Sequence, residues 1–277
     1  MVTKTSKPYS IIVSSQKGGV GKTTISVNLA TAIRQHGYKT LLIDADYSNP
    51  CVGLHLGMGS ANAGLRAVIA GKAKLIDVVA VHNPTGLHVL VNEMTSRNFN
   101  PSISQQQILR KELVKSGYDF VIIDMPPGAE NIEGVKEFCD ENSRSAFLVL
   151  TPEMAACASA IRMAQICEKH HINHSMLANK VRNRRYELRM DEIEEAIGEG
   201  LIGVIPDDEN VPISIAQHIP VVLLNGSCDF SRSIKNISRK VCSRVGYEPG
   251  GDMGIGMRMR SGGGLFGWIR WLLFGER

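Results

Sequence analysis

The chain has 277 residues, 43% hydrophobic and 21% charged, which suits one globular α/β domain with a full core. A net charge of +4 is too mild to mark a nucleic-acid binder by itself, and no apolar run is long enough to predict a membrane-spanning helix. The six cysteines stand no closer than ten residues apart, which excludes C-x-x-C metal spacing and argues for reduced thiols in cytoplasm rather than a disulfide framework.

The first eight residues hold no apolar run, so no signal peptide is expected. Ser10-Ile11-Ile12-Val13-Ser14 then predicts a first strand over 11–14. It enters Lys17-Gly18-Gly19-Val20-Gly21-Lys22-Thr23-Thr24. Ile25, Leu29, Ala32 and Ile33 share one helical face directly afterwards, with Gly37 as the expected C-cap. A strand, a glycine loop and a helix in this order form a phosphate cradle. Glycines let successive N–H groups converge, the helix N-terminus adds positive charge, Lys22 offers a cation, and the Thr23 hydroxyl suits Mg²⁺.

Apolar runs over 40–44, 87–91, 120–124, 146–150, 175–179 and 201–205 predict six further strands. Several are apolar throughout, as strands buried on both faces of a parallel sheet are. Helical spacing of Met190, Ile193 and Ile197 predicts a helix near 189–197. The alternation predicts a doubly wound, mostly parallel α/β sheet with helices on both faces, its ligand at the carboxyl ends of the strands. Residues 52–86 carry no interpretable motif.

Two strands end in carboxylates. Leu41-Leu42-Ile43 leads to Asp44-Ala45-Asp46, and Phe120-Val121-Ile122-Ile123 leads to Asp124-Met125-Pro126-Pro127-Gly128. Carboxylates at the ends of apolar strands are costly without a cation, and Mg²⁺ with its waters is the natural one. Turn chemistry at Ser48-Asn49-Pro50 is the competing role for Asp46.

The loop 17–24 resembles the deviant Walker A loop of the MinD/ParA ATPases, and the resemblance covers roughly residues 9–245 together with the tail. It implies a P-loop ATPase that binds ATP and Mg²⁺ and forms a homodimer around ATP. Residues 18–24 would hold phosphate, and Lys17 would reach the partner's nucleotide. Lys22 and Asp46 would serve hydrolysis, with Asp46 on the attacking water. Thr23, Asp44 and Asp124 would attend the metal. Asn179, Pro206 and Asp207 would frame adenine. Gln16 departs from the glycine usual in the MinD branch and leans towards the ParA branch.

After Tyr247 the composition changes. Residues 248–264 are glycine-rich and read as a flexible tether. Leu265, Phe266, Trp268, Ile269, Trp271, Leu272, Leu273 and Phe274 follow, with both tryptophans of the chain among them. As a helix this segment is too short to span a bilayer and suits an interfacial anchor. The expected domains are therefore an ATPase domain over 1–247, a tether over 248–264 and a membrane-targeting helix over 265–277. A short anchor of this kind is typical of the MinD branch. It implies a cytoplasmic protein peripherally held on the inner face of the cell membrane, positioning other proteins at the division site or a pole through an activator or cargo that the residues do not name. The alternative is a ParA-like partitioning ATPase that binds non-specific DNA; Arg182, Arg184, Arg185 and Arg189 are its candidate contacts, though nearby carboxylates read as balancing them. A metal-cluster carrier of the Mrp type shares the Asp124–Gly128 pattern but would need the missing C-x-x-C.

Overall fold

A computed structural model describes residues 7–59, 64–92, 101–128, 139, 143–197 and 201–245. The predicted tether and anchor lie outside the described residues. In chain order the elements are β1 (Tyr9–Ser14), α1 (Lys22–Gln35), β2 (Thr40–Asp44), α2 (Val52–His55), α3 (Leu65–Ile69), α4 (Leu75–Val78), β3 (Ala80–His82), β4 (Leu87–Leu90), α5 (Ile103–Lys115) and β5 (Phe120–Asp124). There follow β6 (Arg144–Leu150), α6 (Met154–Lys169), β7 (His174–Val181), α7 (Met190–Ile197), β8 (Gly203–Pro206), α8 (Asn210–Gln217), α9 (Val221–Leu224) and α10 (Asp229–Arg244).

The strands form one sheet in the order β3-β4-β2-β5-β1-β6-β7-β8. All neighbours run parallel except the β3–β4 pair. The seven predicted strands are present, within a few residues at their ends. The edge strand β3 was not expected: its three residues are too few to leave a periodic signal, and pairing with β4 creates it.

Each face of the sheet carries its own apolar core. On one side Ile11, Val13, Ile25, Leu29, Ile33, Ile234 and Ile237 pack α1 and α10 against the strands. On the other, Ile12, Leu41, Leu109, Leu148, Met163 and Ile193 join α5, α6 and α7 to the sheet. Alternate residues of β1 serve opposite cores, so the strand reads as a continuous apolar run. Gly37 has φ 92° and its N–H donates to Arg34 O at 3.0 Å, closing α1 as expected.

The chain leaves β1 for β2 on one side, and β6 lies on the other. That reversal makes the carboxyl end of β1, between β5 and β6, the crevice where such sheets bind ligands.

Candidate nucleotide-binding site

The loop between β1 and α1 occupies this crevice. Gly19 and Gly21 have φ 76° and 96°, a left-handed conformation that costs a side-chain-bearing residue energy. Gly21 is also the N-cap of α1, and a Cβ there would come within 2.4 Å of Asn179 Nδ2. Gly18 and Gly19 face open space, so the backbone of the loop is accessible from outside.

Two side chains at the end of β7 hold the loop's carbonyls. Asn179 Nδ2 donates to Val20 O at 2.7 Å, and Lys180 Nζ donates to Gly19 O at 2.8 Å. Lys180 lies at an irregularity of the β7–β8 pairing, with φ 58°. With those carbonyls held, the loop's geometry is set by tertiary contacts as well as by its glycines. Lys180 was not legible in the sequence; only its place beside Asn179 hinted at it.

The carboxylates converge beneath the loop. Val13 is in register with Asp124, and Asp124 with Asp44, so β1, β5 and β2 end level. Thr23 Oγ1 donates to Asp124 Oδ2 at 2.7 Å, and Ser26 Oγ to Asp124 Oδ1 at 2.9 Å. Asp44 Oδ2 accepts from the N–H of Val52, the first residue of α2, at 2.9 Å, and its Oδ1 from Asp46 N–H at 3.2 Å. Both carboxylates are buried, Asp44 at 0% and Asp124 at 2% exposure. Burial raises the pKa of Asp124 to about 6, against the pull of Thr23, Ser26 and Lys22. Burial, then the neighbouring Asp124, pushes Asp44 well above the usual range. Lys22 is itself buried and lowered by desolvation, opposed by Asp124 and Asp46. Two adjoining buried carboxylates beside one lysine favour an additional cation. The donor set, a hydroxyl and carboxylate oxygens, suits a hard ion such as Mg²⁺, and the cradle above them suits a nucleotide's phosphates.

Asp46 is near enough to act on both carboxylates and on Lys22, but its side-chain hydrogen bonds are local. Its Oδ1 accepts from Ser48 N–H, Ser48 Oγ and Asn49 N–H at 3.1, 2.7 and 2.8 Å, so in this state it organises the turn. Gly128 N–H donates to Ser15 O at 3.0 Å, tying the segment after Asp124 to the start of the phosphate loop. Lys17 is exposed on the loop's outer side, where a cavity of about 290 Å³ opens between the loop, Thr151–Glu153 and Lys180. Pro206 pairs with Val181, and Asp207 meets Arg182 Nε at 2.7 Å, so the Asn179 and Pro206–Asp207 positions adjoin at the ends of β7 and β8. Arg189 pairs with Asp191, as the charge balance around this cluster predicted. Among the described residues no cluster of three His, Cys, Asp or Glu forms a separate metal site.

Comparison with known proteins gives the family and the fold. Residues 107–221 match the CobQ/CobB/MinD/ParA nucleotide binding domain family, and residues 9–136 match an AAA domain family. A putative septum site-determining protein MinD from Guillardia theta is 32% identical over 219 residues, which span 77% of this chain and 80% of that protein. The chain belongs to the MinD/ParA family. Within the MinD/ParA family it is most like MinD. Its fold matches that of the MinD of Pyrococcus horikoshii solved with Mg-ADP, with a TM-score of 0.75 and 23% identity over 86% of this chain and 98% of that one. The MinC:MinD cell division complex of Aquifex aeolicus also gives 0.75, at 22% identity over 88% and 99%. The protein is therefore a P-loop ATPase of the MinD/ParA family with the mostly parallel sheet its sequence predicts.

Proposed function

We propose that the protein is a MinD-like ATP hydrolase that dimerises on ATP, binds the membrane through residues 265–277, and positions other proteins. Hydrolysis of ATP with water to ADP and phosphate would return it to a cytosolic monomer. The observation that carries this reading is the convergence of the glycine loop, Lys22 and the Thr23–Asp124–Asp44 constellation at the end of β1.

Residues 18–24 would cradle the phosphates, with Lys22 neutralising the β- and γ-oxygens. Thr23, Asp44 and Asp124 would hold magnesium directly or through water. Bound Mg-ATP supplies the phosphoryl group and the metal's charge. The chain's own part is positioning and electrostatics, as in phosphoryl transfer generally. Asp46 would orient the attacking water once released from the 48–49 turn, and Lys17 would complete the site of the facing copy. Asn179 spends its amide on Val20 O, and its Oδ1 accepts nothing from the described residues. An acceptor suits the exocyclic amine of adenine and not the O6 of guanine, which supports ATP. Pro206 and Asp207 would flank the base.

Vesicle pull-down with a non-hydrolysable ATP analogue and with ADP tests the cycle. The expected result is retention with the ATP analogue only, abolished by deleting residues 265–277. Equal retention in both nucleotide states would overturn the coupling. ATP-dependent, salt-sensitive binding to random duplex DNA without vesicle binding would favour the ParA-like alternative.

A further inference from the structure

We infer that the end of the sheet opposite the phosphate loop is a second lipid contact, a basic face laid against anionic phospholipid headgroups. The inference rests on the membrane reading above and concerns the folded domain rather than its tail. The strands' amino ends and the last turns of α1, α5 and α10 share this end. His36, just past α1, meets Ser238 Oγ of α10 at 3.0 Å. Lys240 Nζ donates to Ile202 O, one residue before β8, at 2.8 Å. Lys39 and Asp119, in the turns before β2 and β5, exchange bonds of 2.8 Å.

Arg34, Lys39, Lys115, Arg239, Lys240 and Arg244 gather there, all exposed except the half-buried Arg34. Among the described residues the carboxylates nearby are Glu112, Asp119 and Glu168. The first two are engaged by the N–H groups of Leu75 and Lys39. One base per helix, namely Arg34, Lys115 and Arg244, is what a helix C-terminus favours. Lys39, Arg239 and Lys240 exceed that need. In α10 the only acid is Asp229, at the far end, where it pairs with Arg232.

The occupant follows from where the chain goes next. α10 ends at Arg244 on this face, and the tryptophan-bearing segment 265–274 comes shortly after through a glycine-rich stretch with Arg258 and Arg260. A bilayer that takes the apolar segment lies within reach of the basic end. Each base near an anionic surface strengthens binding about fivefold at low salt, and the gain fades within a Debye length.

The full-length chain, with a non-hydrolysable ATP analogue, is titrated with vesicles of pure phosphatidylcholine and of phosphatidylcholine with about one-third phosphatidylglycerol. The variant Lys39→Gln/Arg239→Gln/Arg244→Gln removes exposed charges that touch no part of the nucleotide site. Its ATP retention reports that it is folded. The expected result is at least tenfold weaker binding to the anionic vesicles, with a reduced salt dependence, and unchanged binding to the neutral ones. Equal binding of variant and wild type to anionic vesicles would overturn the inference while leaving the anchor intact. Failure of the wild type on every vesicle would overturn the membrane reading and this inference with it. Tighter binding to random duplex DNA, lost in the variant, would assign the face to nucleic acid instead.

Discussion

At Gly21 conformation and space make the same demand. A left-handed φ of 96° strains any side-chain-bearing residue, and an added Cβ would stand 2.4 Å from the Asn179 amide and push it off Val20 O. Gly21→Ala is expected to cost on the order of 1–3 kcal/mol locally and to abolish retention of a fluorescent ATP analogue. Undiminished retention would show that the loop adapts. Lys180 acts on the same loop from outside. Lys180→Met removes a charged hydrogen bond from Gly19 O, worth about 1–2 kcal/mol even at an exposed site. ATP affinity should fall about tenfold while the melting temperature changes little, whereas Lys180→Arg should keep part of the bond. The cysteines illustrate burial without chemistry. Burial pushes the thiols of Cys157, Cys167 and Cys242 up to about 12, and Cys139 is buried as well. Those four thiols are buried whereas Cys51 and Cys228 are partly exposed, so thiol titration of the native chain should count Cys51 and Cys228 only, with the other four appearing on denaturation.

Among the elements, α1 forms part of the site through Thr23 and Ser26, and α2 is tied to it through Asp44. Asp44 holds its first N–H, and His218, just after α8, meets Leu54 O at 2.9 Å. A change in the charge on Asp44 therefore acts directly on α2, and through α2 on α8. Its four residues are too short for any periodic signal, and nothing in residues 52–86 pointed to it. The element that carries the chain towards its tail, α10, is held by its apolar stripe. Ile234 is fully buried against the sheet, and Ile237 packs so closely on β8 that a Cβ on Gly203 would meet it at 2.5 Å. Ile234→Ala should lower stability to urea by about 2–5 kcal/mol, as a large-to-small change in a packed core does. A loss under 1 kcal/mol would mean that the helix can collapse onto the gap.

At the scale of the molecule, every strand but β3 delivers its carboxyl end to one rim, and the phosphate loop, Asp44, Asp124, Asn179 and Asp207 all lie on it. The opposite rim collects helix C-termini and their bases. Nucleotide chemistry and surface charge are thus separated by the length of the strands. If Lys17 serves a facing copy, Lys17→Ala should reduce ATP turnover at least tenfold while ATP retention stays within about threefold, since an in-trans cation acts on the transition state. Matching loss of both in a phosphate-release and a binding assay would place Lys17 in its own loop instead. Among the described residues no helix is long and apolar enough to cross a membrane.

The parallel α/β architecture, the glycine loop and both carboxylate-ended strands were legible from residue order, because each depends on short-range patterning: apolar runs, glycine spacing and an aspartate at a strand's end. Tertiary structure alone decided that Asp44 and Asp124 stand side by side, that Lys180 holds Gly19, and that α2 is fastened to the site. Those facts join residues up to 161 positions apart in sequence, and no local pattern encodes which distant side chain a folded sheet brings within hydrogen-bonding distance.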